Sequence, residues 1–373
     1  MNNLPTSHHL PIEYLAASFE HVTNSYKFYW FLALLEDIKE RQNHLIVIDD
    51  LLVRIIASVW YPVNYFYLSF GKQDRLPYIV SSIEKASGLS SVSKKANVFR
   101  QVRHLLDGQS EISSELRGLA RFVPYRFLRP FFANQLRGIS DWKVDDLIAD
   151  MAMQSFNSLN RPCLYRFVDS PKPAIEIHPQ WFEYIQTHLP ILSGFCLWHL
   201  MDYLQKNNPN VPNIVAKIFE PQQRDLRLAK KFWNLVMTKV GSLYCIYSST
   251  RIDQNNFSLD HFLPWRFVAH DQLWNLIPAV KAVNSSKGDC LPDINLYLER
   301  FTRGHYTALH ALAATKQTHL FEDYILLFKK ENVSEMTELP FEQFHSVLRD
   351  AILPQIQIAK NMGFTANWRH VAA

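Results

Sequence analysis

Cysteine is scarce in this chain. Its 373 residues hold four, Cys163, Cys196, Cys245 and Cys290, widely spaced and with no CxxC pair among them. That spacing argues against a structural zinc knuckle and implies no disulfide framework, so reduced, mostly buried thiols are expected. Charge is also sparse. Asp, Glu, Lys and Arg make up 20% of the chain, so much of the surface is uncharged or packed against something. Long apolar runs are missing too. The most apolar stretch, residues 28–35, lies between Lys27 and Glu36, far short of the roughly twenty residues a membrane span needs. The N-terminus, MNNLPTSHHLP, has no basic segment leading into an apolar one, so no secretory signal is read there. There is no internal repeat and no low-complexity tract. These absences point to a cytoplasmic protein with no membrane partner.

Apolar residues are 48% of the chain and aromatic residues 13%, enough for a sizeable core and against disorder. The length suggests two domains, or one large one with an insert. A net charge of +4 leans only weakly towards anionic partners.

The N-terminal part reads as helical. Phe28, Phe31, Leu32, Leu35 and Ile38 recur at helical spacing. Asp49 or Asp50 is placed to cap a second helix bearing Leu51, Leu52, Ile55, Ile56 and Val59, which Pro62 is expected to end. The aromatic run WYPVNYFYLSF (residues 60–70) suits a core, or a surface for stacking bases or a partner. Residues 87–93 read as a loop. Residues 94–137 then hold nine Lys or Arg against Asp107, Glu111 and Glu115. Within them, RFVPYRFLRPFF sets Arg121, Arg126 and Arg129 among aromatics. That pattern suits a groove tracking a phosphate backbone, and equally a half-buried segment whose arginines reach to solvent. CLYRFV and AIEI around DSPKP predict a hairpin over residues 162–177, followed by helices over 181–187 and 192–204. NNPNVP (residues 207–212) is the clearest loop and a candidate boundary. A helix over 222–238 would carry an apolar side and a basic side, the latter including Lys230 and Lys231. Further helices are expected over 293–301, 308–330 and 341–361, with a kink at Pro354.

Residues 241–290 differ from their surroundings. Strands are read at 242–247 and 257–261, with helical stretches near 271–276 and from about Val280. Asp260-His261 is followed by Pro264, Asn275, Asn284 and Lys287. The Pro lies three residues after the His and the first Asn fourteen; the second Asn follows nine later and the Lys three beyond. In both order and spacing this set resembles the HNH nuclease family. It is most similar to the branch that includes the HNH domain of RNA-guided CRISPR effector nucleases, where the third letter is also Asn. Upstream, Cys245-Ile246-Tyr247 and Ile252 resemble that branch's CxYxGxxI approach, with Ser249 in place of Gly. SYKFYWFLALLE and WYPVNYFYLSFG resemble, more weakly, the helical N-terminal region of standalone bacterial HNH proteins. No RuvC-like carboxylate set accompanies the motif.

The resemblance implies an α+β, mostly α-helical protein: a helical N-terminal region with a short hairpin (1–212), a ββα-metal nuclease module (213–310) and C-terminal helices packing on it (311–373). It implies phosphodiester hydrolysis, with Asp260 and Asn284 as ligands of one Mg²⁺ or Mn²⁺ ion. A hard cation prefers oxygen donors and needs few from the protein. His261 would be the general base, since imidazole titrates near neutrality. Asn275 would orient His261 or its backbone, and Lys287 would contact phosphate. Alone, His261 could equally be a satisfied core residue. His270 reads as a loop residue, Trp265 and Trp274 as packing, and Cys290 as buried. DNA is the expected substrate, in restriction or anti-phage defence, with RNA cleavage or binding without turnover as alternatives. Two nicking sites would make a double-strand cut, so a homodimer is plausible, as is a partner protein of a defence system.

Overall fold

The periodicity of the first hundred residues has a direct counterpart in the computed structural model, which describes residues 4–371 apart from 109, 159, 170, 222 and 316. Helices dominate and the sheets are small, so the fold is α+β and mostly α-helical. The chain divides into two compact units. One comprises Met1–Pro209 and Ile214–Glu220, the other Asn210–Asn213 and Pro221–Ala373. No helix among the described residues is long and apolar enough to cross a membrane.

The first unit runs α1 (Ile12–Ala17), α2 (Tyr26–Arg41), β1 (Leu45–Val47), α3 (Ile48–Trp60), α4 (Leu76–Ser87), α5 (Lys95–Asp107), α6 (Glu111–Ala120), α7 (Val123–Leu128), α8 (Asp141–Phe156), β2 (Tyr165–Val168), β3 (Ala174–Ile177), α9 (Pro179–Asn207) and α10 (Ile214–Lys217). Helix α2 is apolar on most of its circumference and packs between α3 and α9, as a helix with no polar stripe must. Pro62 does not end the second helix in the way the sequence suggested. It starts a π-helical turn, Tyr61–Tyr65, that continues α3. A wider turn accommodates a residue that has no N–H to give and a ring to place. The aromatic run is core: Trp60, Phe66 and Phe70 are all buried. The expected hairpin forms, with Tyr165 opposite Ile177 and Val168 opposite Ala174. Of its turn, Ser170 lies outside the described residues. Strand β1 adds a third member, pairing antiparallel with β3; three residues are too few to show a period of two. The two helices expected after the hairpin are one, α9, broken locally at His188 (φ −111°, ψ 16°) ahead of Pro190.

The second unit runs α11 (Arg227–Val240), β4 (Leu243–Tyr244), β5 (Arg251–Ile252), β6 (Phe257–His261), α12 (Trp265–Val268), β7 (Leu276–Val280), α13 (Lys281–Lys287), α14 (Ile294–Leu312), α15 (Glu322–Phe328), α16 (Val333–Thr337) and α17 (Phe341–Asn361). Helix α11 starts later than the sequence suggested, and Gln222 lies outside the described residues. Helix α14 runs through the gap expected between 301 and 308 and ends at Leu312, and the remainder of the helix expected over 308–330 is a separate one, α15. One apolar core joins α11, the strands, α14 and α17. After α17 the chain returns to the front of α14. Leu291 N donates to Thr365 O at 2.8 Å and Trp368 N to Leu291 O at 2.9 Å. The Trp368 ring then meets the Tyr247 ring edge-on, 5.3 Å between centroids.

The order of strands in the motif region needs correction. The stretch 242–247 yields only Leu243–Tyr244, paired with β5. The partner of β6 is β7, in register from Phe257 opposite Val280 to His261 opposite Leu276. A helix was expected where β7 begins; a short 3₁₀ turn, Leu273–Asn275, leads into it instead. Asp260-His261 therefore ends the first strand of the ββα hairpin, not the second. LIPAV reads poorly as a strand because Pro278 cannot donate to a ladder, but a two-stranded sheet leaves every strand an open edge where Pro fits.

Candidate active site

Helix α13 follows β7 without a loop and folds back onto β6. That return brings Asn284 to the end of the strand carrying Asp260 and His261. Neighbours on a strand normally point to opposite faces. Here β6 stops at His261, and Asp260, His261 and Asn284 line one pocket of about 200 Å³.

Asp260 is 2% exposed, and both its oxygens are held. Tyr247 Oη donates to Oδ2 at 2.5 Å, and Lys287 Nζ donates to Oδ1 at 3.0 Å. The same ammonium donates to the His261 carbonyl at 2.7 Å. Lys287 is 1% exposed and does not line the pocket. The implied phosphate contact by Lys287 is therefore not what this geometry offers. With its ammonium turned inward, Lys287 fixes the Asp260-His261 pair. An ion pair this deeply buried persists only because each partner's remaining polar atoms also find hydrogen bonds. Asn284 Nδ2 donates to Ser258 Oγ at 3.0 Å and to Leu259 O at 3.1 Å. The amide nitrogen is thus tied to β6, leaving the carbonyl oxygen as the end that can take a ligand.

His261 is 5% exposed. Its Nε2 lies 2.8 Å from Asp271 Oδ1. Burial lowers the imidazole pKa; the Asp271 hydrogen bond opposes that, and the nearby Arg224 charge adds to it, with a net downward shift. Burial alone would raise the Asp271 carboxyl. The hydrogen bond and charge of His261, the Asp225 N–H and the Arg224 charge outweigh it, so Asp271 sits below the usual carboxylate range. An ionised Asp271 accepts the Nε2 proton, which assigns the lone pair to Nδ1.

Asn275 is fully buried. Its Oδ1 accepts from Leu263 N at 2.8 Å, its Nδ2 donates to Leu263 O at 2.9 Å, and its own carbonyl accepts from Phe262 N at 2.9 Å. It clamps the backbone just beyond His261. Ser249, where the family pattern has Gly, has φ +58°, the left-handed region that glycine occupies without cost. His270 Nδ1 accepts from Gln272 N at 3.3 Å, a turn contact. Cys290 is half-buried rather than buried.

Tyr247, Asp271 and Arg224 carry parts of the site that sequence reasoning missed. Tyr247 stood inside the quoted CIY segment without a role. Asp271 directly follows His270, and nothing in the local sequence marks it as a partner of His261. From sequence, Arg224 falls on the basic side of the helix expected over 222–238, with no role of its own. It precedes α11, lines the pocket, and lies over the Trp265 ring at 5.3 Å. The more distant basic residues are not gathered there. Lys230 and Lys231 are exposed on α11 and do not line the pocket. Arg121, Arg126 and Arg129 belong to the first unit. Arg121 covers the Phe122 ring at 5.4 Å, Arg126 donates to Asp145 and Asp141, and Arg129 reaches Asp141 at 3.5 Å.

Among the described residues no group of three or more His, Cys, Asp or Glu side chains could hold a metal ion. The donors present are one carboxylate and one amide oxygen beside a polar pocket. That set does not suit Zn²⁺, which takes three or four N, S or O ligands from the protein. It suits a hard cation that keeps several waters and accepts phosphate oxygens.

A two-stranded antiparallel hairpin, a helix returned across it and an Asp-His pair at the strand end define a ββα nuclease-type module. Residues 245–293 match the family model described as HNH endonuclease, so this segment of the chain carries the HNH endonuclease pattern. No curated protein and no solved structure matches the chain.

Proposed function

We propose that the protein is a metal-dependent endonuclease that hydrolyses phosphodiester bonds of DNA. The observation that carries this reading is the single pocket shared by Asp260, His261 and Asn284, with His261 held from behind by Asp271. His261 Nδ1 takes the proton of an attacking water. Asp271 steadies the imidazolium that results and fixes the ring's orientation. Asp260 and Asn284 would hold a divalent cation, Mg²⁺ or Mn²⁺, which when bound supplies positive charge to the phosphate and the departing oxygen. Arg224, at the pocket mouth over Trp265, takes a phosphate oxygen of the substrate strand. Lys287 and Tyr247 keep Asp260 aimed. Asn275 holds the exit of His261 in place.

The test is nicking of supercoiled plasmid by purified protein, with Mg²⁺ and with EDTA, beside matched RNA. Metal-dependent nicking is expected, and His261→Ala should slow it by about 10²–10⁴-fold, the worth of a general base. A His261→Ala protein that nicks as fast as its parent removes the proposed mechanism. Cleavage of RNA in preference to DNA overturns the substrate assignment alone.

A further inference from the structure

The first unit contains a cavity that none of this chemistry uses. It lies at the start of α2 and measures about 460 Å³, within the range of small-molecule sites. Lys27, Arg126 and Arg129 face it, with Asp141, Tyr26 and Phe122. Three cations against one lining carboxylate leave an excess of positive charge. Arg126 is anchored, with Nε 2.5 Å from Asp145 and Nη1 3.0 Å from Asp141. Asp145 offsets part of that charge from outside the cavity. Arg129 is held more loosely, at 3.5 Å from an Asp141 side chain that is 69% exposed.

Lys27 is the informative residue. Among the described residues nothing pairs with its ammonium. Burial and the charges of Arg129 and Arg126 lower its pKa to about 8. A half-buried ammonium beside two guanidinium groups costs stability, and such costs concentrate where a site is used. At the start of α2 the Asp74 carboxylate accepts both the Ser25 N–H and the Ser25 hydroxyl at 2.6 Å, so the helix end is already compensated and the positive charge at the cavity is that of its side chains.

We propose that this cavity binds a phosphate ester, held by Lys27, Arg126 and Arg129, with the group it carries lying against Tyr26 or the half-exposed Phe122 ring. With Asp141 and Asp145 counted, the three cations leave one net positive charge, and three separate cationic donors suit the three terminal oxygens of a phosphoryl group better than the two of a carboxylate. The cations surround one space rather than standing in a row at phosphate spacing. That favours a single phosphoryl group over a length of backbone. The ester is either a free nucleotide or the terminal phosphate of a nucleic-acid strand.

Calorimetric titration of full-length protein carrying His261→Ala, in EDTA, tests this without dependence on cleavage. The titrants are inorganic phosphate, AMP, and one oligonucleotide with a 5′-phosphate or a 5′-hydroxyl. AMP is expected to bind with a Kd of about 1 mM or tighter, and Lys27→Met and Arg129→Gln should each weaken it about tenfold. A strand end is the ligand if the 5′-phosphate strengthens oligonucleotide binding and Lys27→Met erases the gain. A free nucleotide is the ligand if both oligonucleotides bind alike and AMP still responds to the variants. Without ligand, Lys27→Met should melt at or above the parent's temperature, because it removes a desolvated charge. Failure of all phosphate titrants to bind, equal binding by the variants, or a lower melting temperature for Lys27→Met each overturns the proposal.

Discussion

Two of the antiparallel hairpins among the described residues, β2–β3 and β6–β7, are fixed in different ways. In the first unit β2 and β3 are joined by a short turn, and β3 also pairs with β1. Local chain chemistry sets that register. In the second unit β6 and β7 are separated by residues 262–275, which hold a turn of helix, a 3₁₀ turn and Pro264. No tight turn closes this hairpin. The side chain of Asn275 does, by gripping both polar groups of Leu263. The first arrangement builds a scaffold. The second carries Asp271 in its long connection and the pocket at the end of its first strand, and relies on buried polar contacts to stay closed.

Asn275→Ala is the sharpest way to break this contrast. It leaves the Leu263 N–H and C=O buried without partners, at roughly 1–3 kcal/mol each. Chemical denaturation should show a loss of about 2–4 kcal/mol, with nicking lost in parallel; a stable Asn275→Ala protein would mean that the hairpin needs no clamp. Asp271→Asn separates holding the fold from holding the base. Thermal melting should hardly change, while kcat falls roughly 10–100-fold, in line with removal of a carboxylate that orients a working histidine. An equal loss in stability would make Asp271 merely structural.

His305, on α14 beneath the second hairpin, allows a pH test. It is fully buried, its Nδ1 lies 2.6 Å from Tyr324 Oη, and burial brings its pKa down to about 3. In the unfolded chain the ring protonates near pH 6.5, so the unfolded state binds the extra proton first. Stability is therefore complete above about pH 6.5 and falls as the pH drops towards 3, by up to about 1.4 kcal/mol per pH unit from this group. His305→Gln should flatten that part of the pH–stability curve, and an unchanged slope would assign the loss to other groups. Ser249→Gly is the mildest change. Relief of a left-handed φ should raise stability by about 0.5–1 kcal/mol, read from the melting temperature. No gain would mean that the Ser248–Thr250 turn tolerates a side chain at no cost.

The contrast between hairpins also explains what could be read from sequence. The β2–β3 hairpin was legible because its turn residues sit between its strands. The Asp260–Lys287 spacing was legible as a family pattern, and the structure brings Asp260, His261 and Asn284 to one pocket. Strand β7 was hidden because Pro278 argues against a strand and nothing local marks its pairing with residues 257–261. The inward turn of Lys287 was hidden for a similar reason: a lysine near a phosphate site looks the same in sequence whether it meets solvent or Asp260. Asp271 and Tyr247 act through contacts across 10 and 13 residues, which no helical or strand period links. In the first unit, RFVPYRFLRPFF announced positive charge, but only the partners of each arginine distinguish an open groove from a cavity.

The Trp368 ring rests on Tyr247, and Tyr247 holds Asp260. During synthesis Asp260 leaves the ribosome 108 residues before Trp368. At about 5–20 residues per second, that interval is roughly 5–20 seconds. A growing chain thus owns every polar group of the pocket well before it can wedge the last of them into place, and the pocket is completed only after Trp368 has been made.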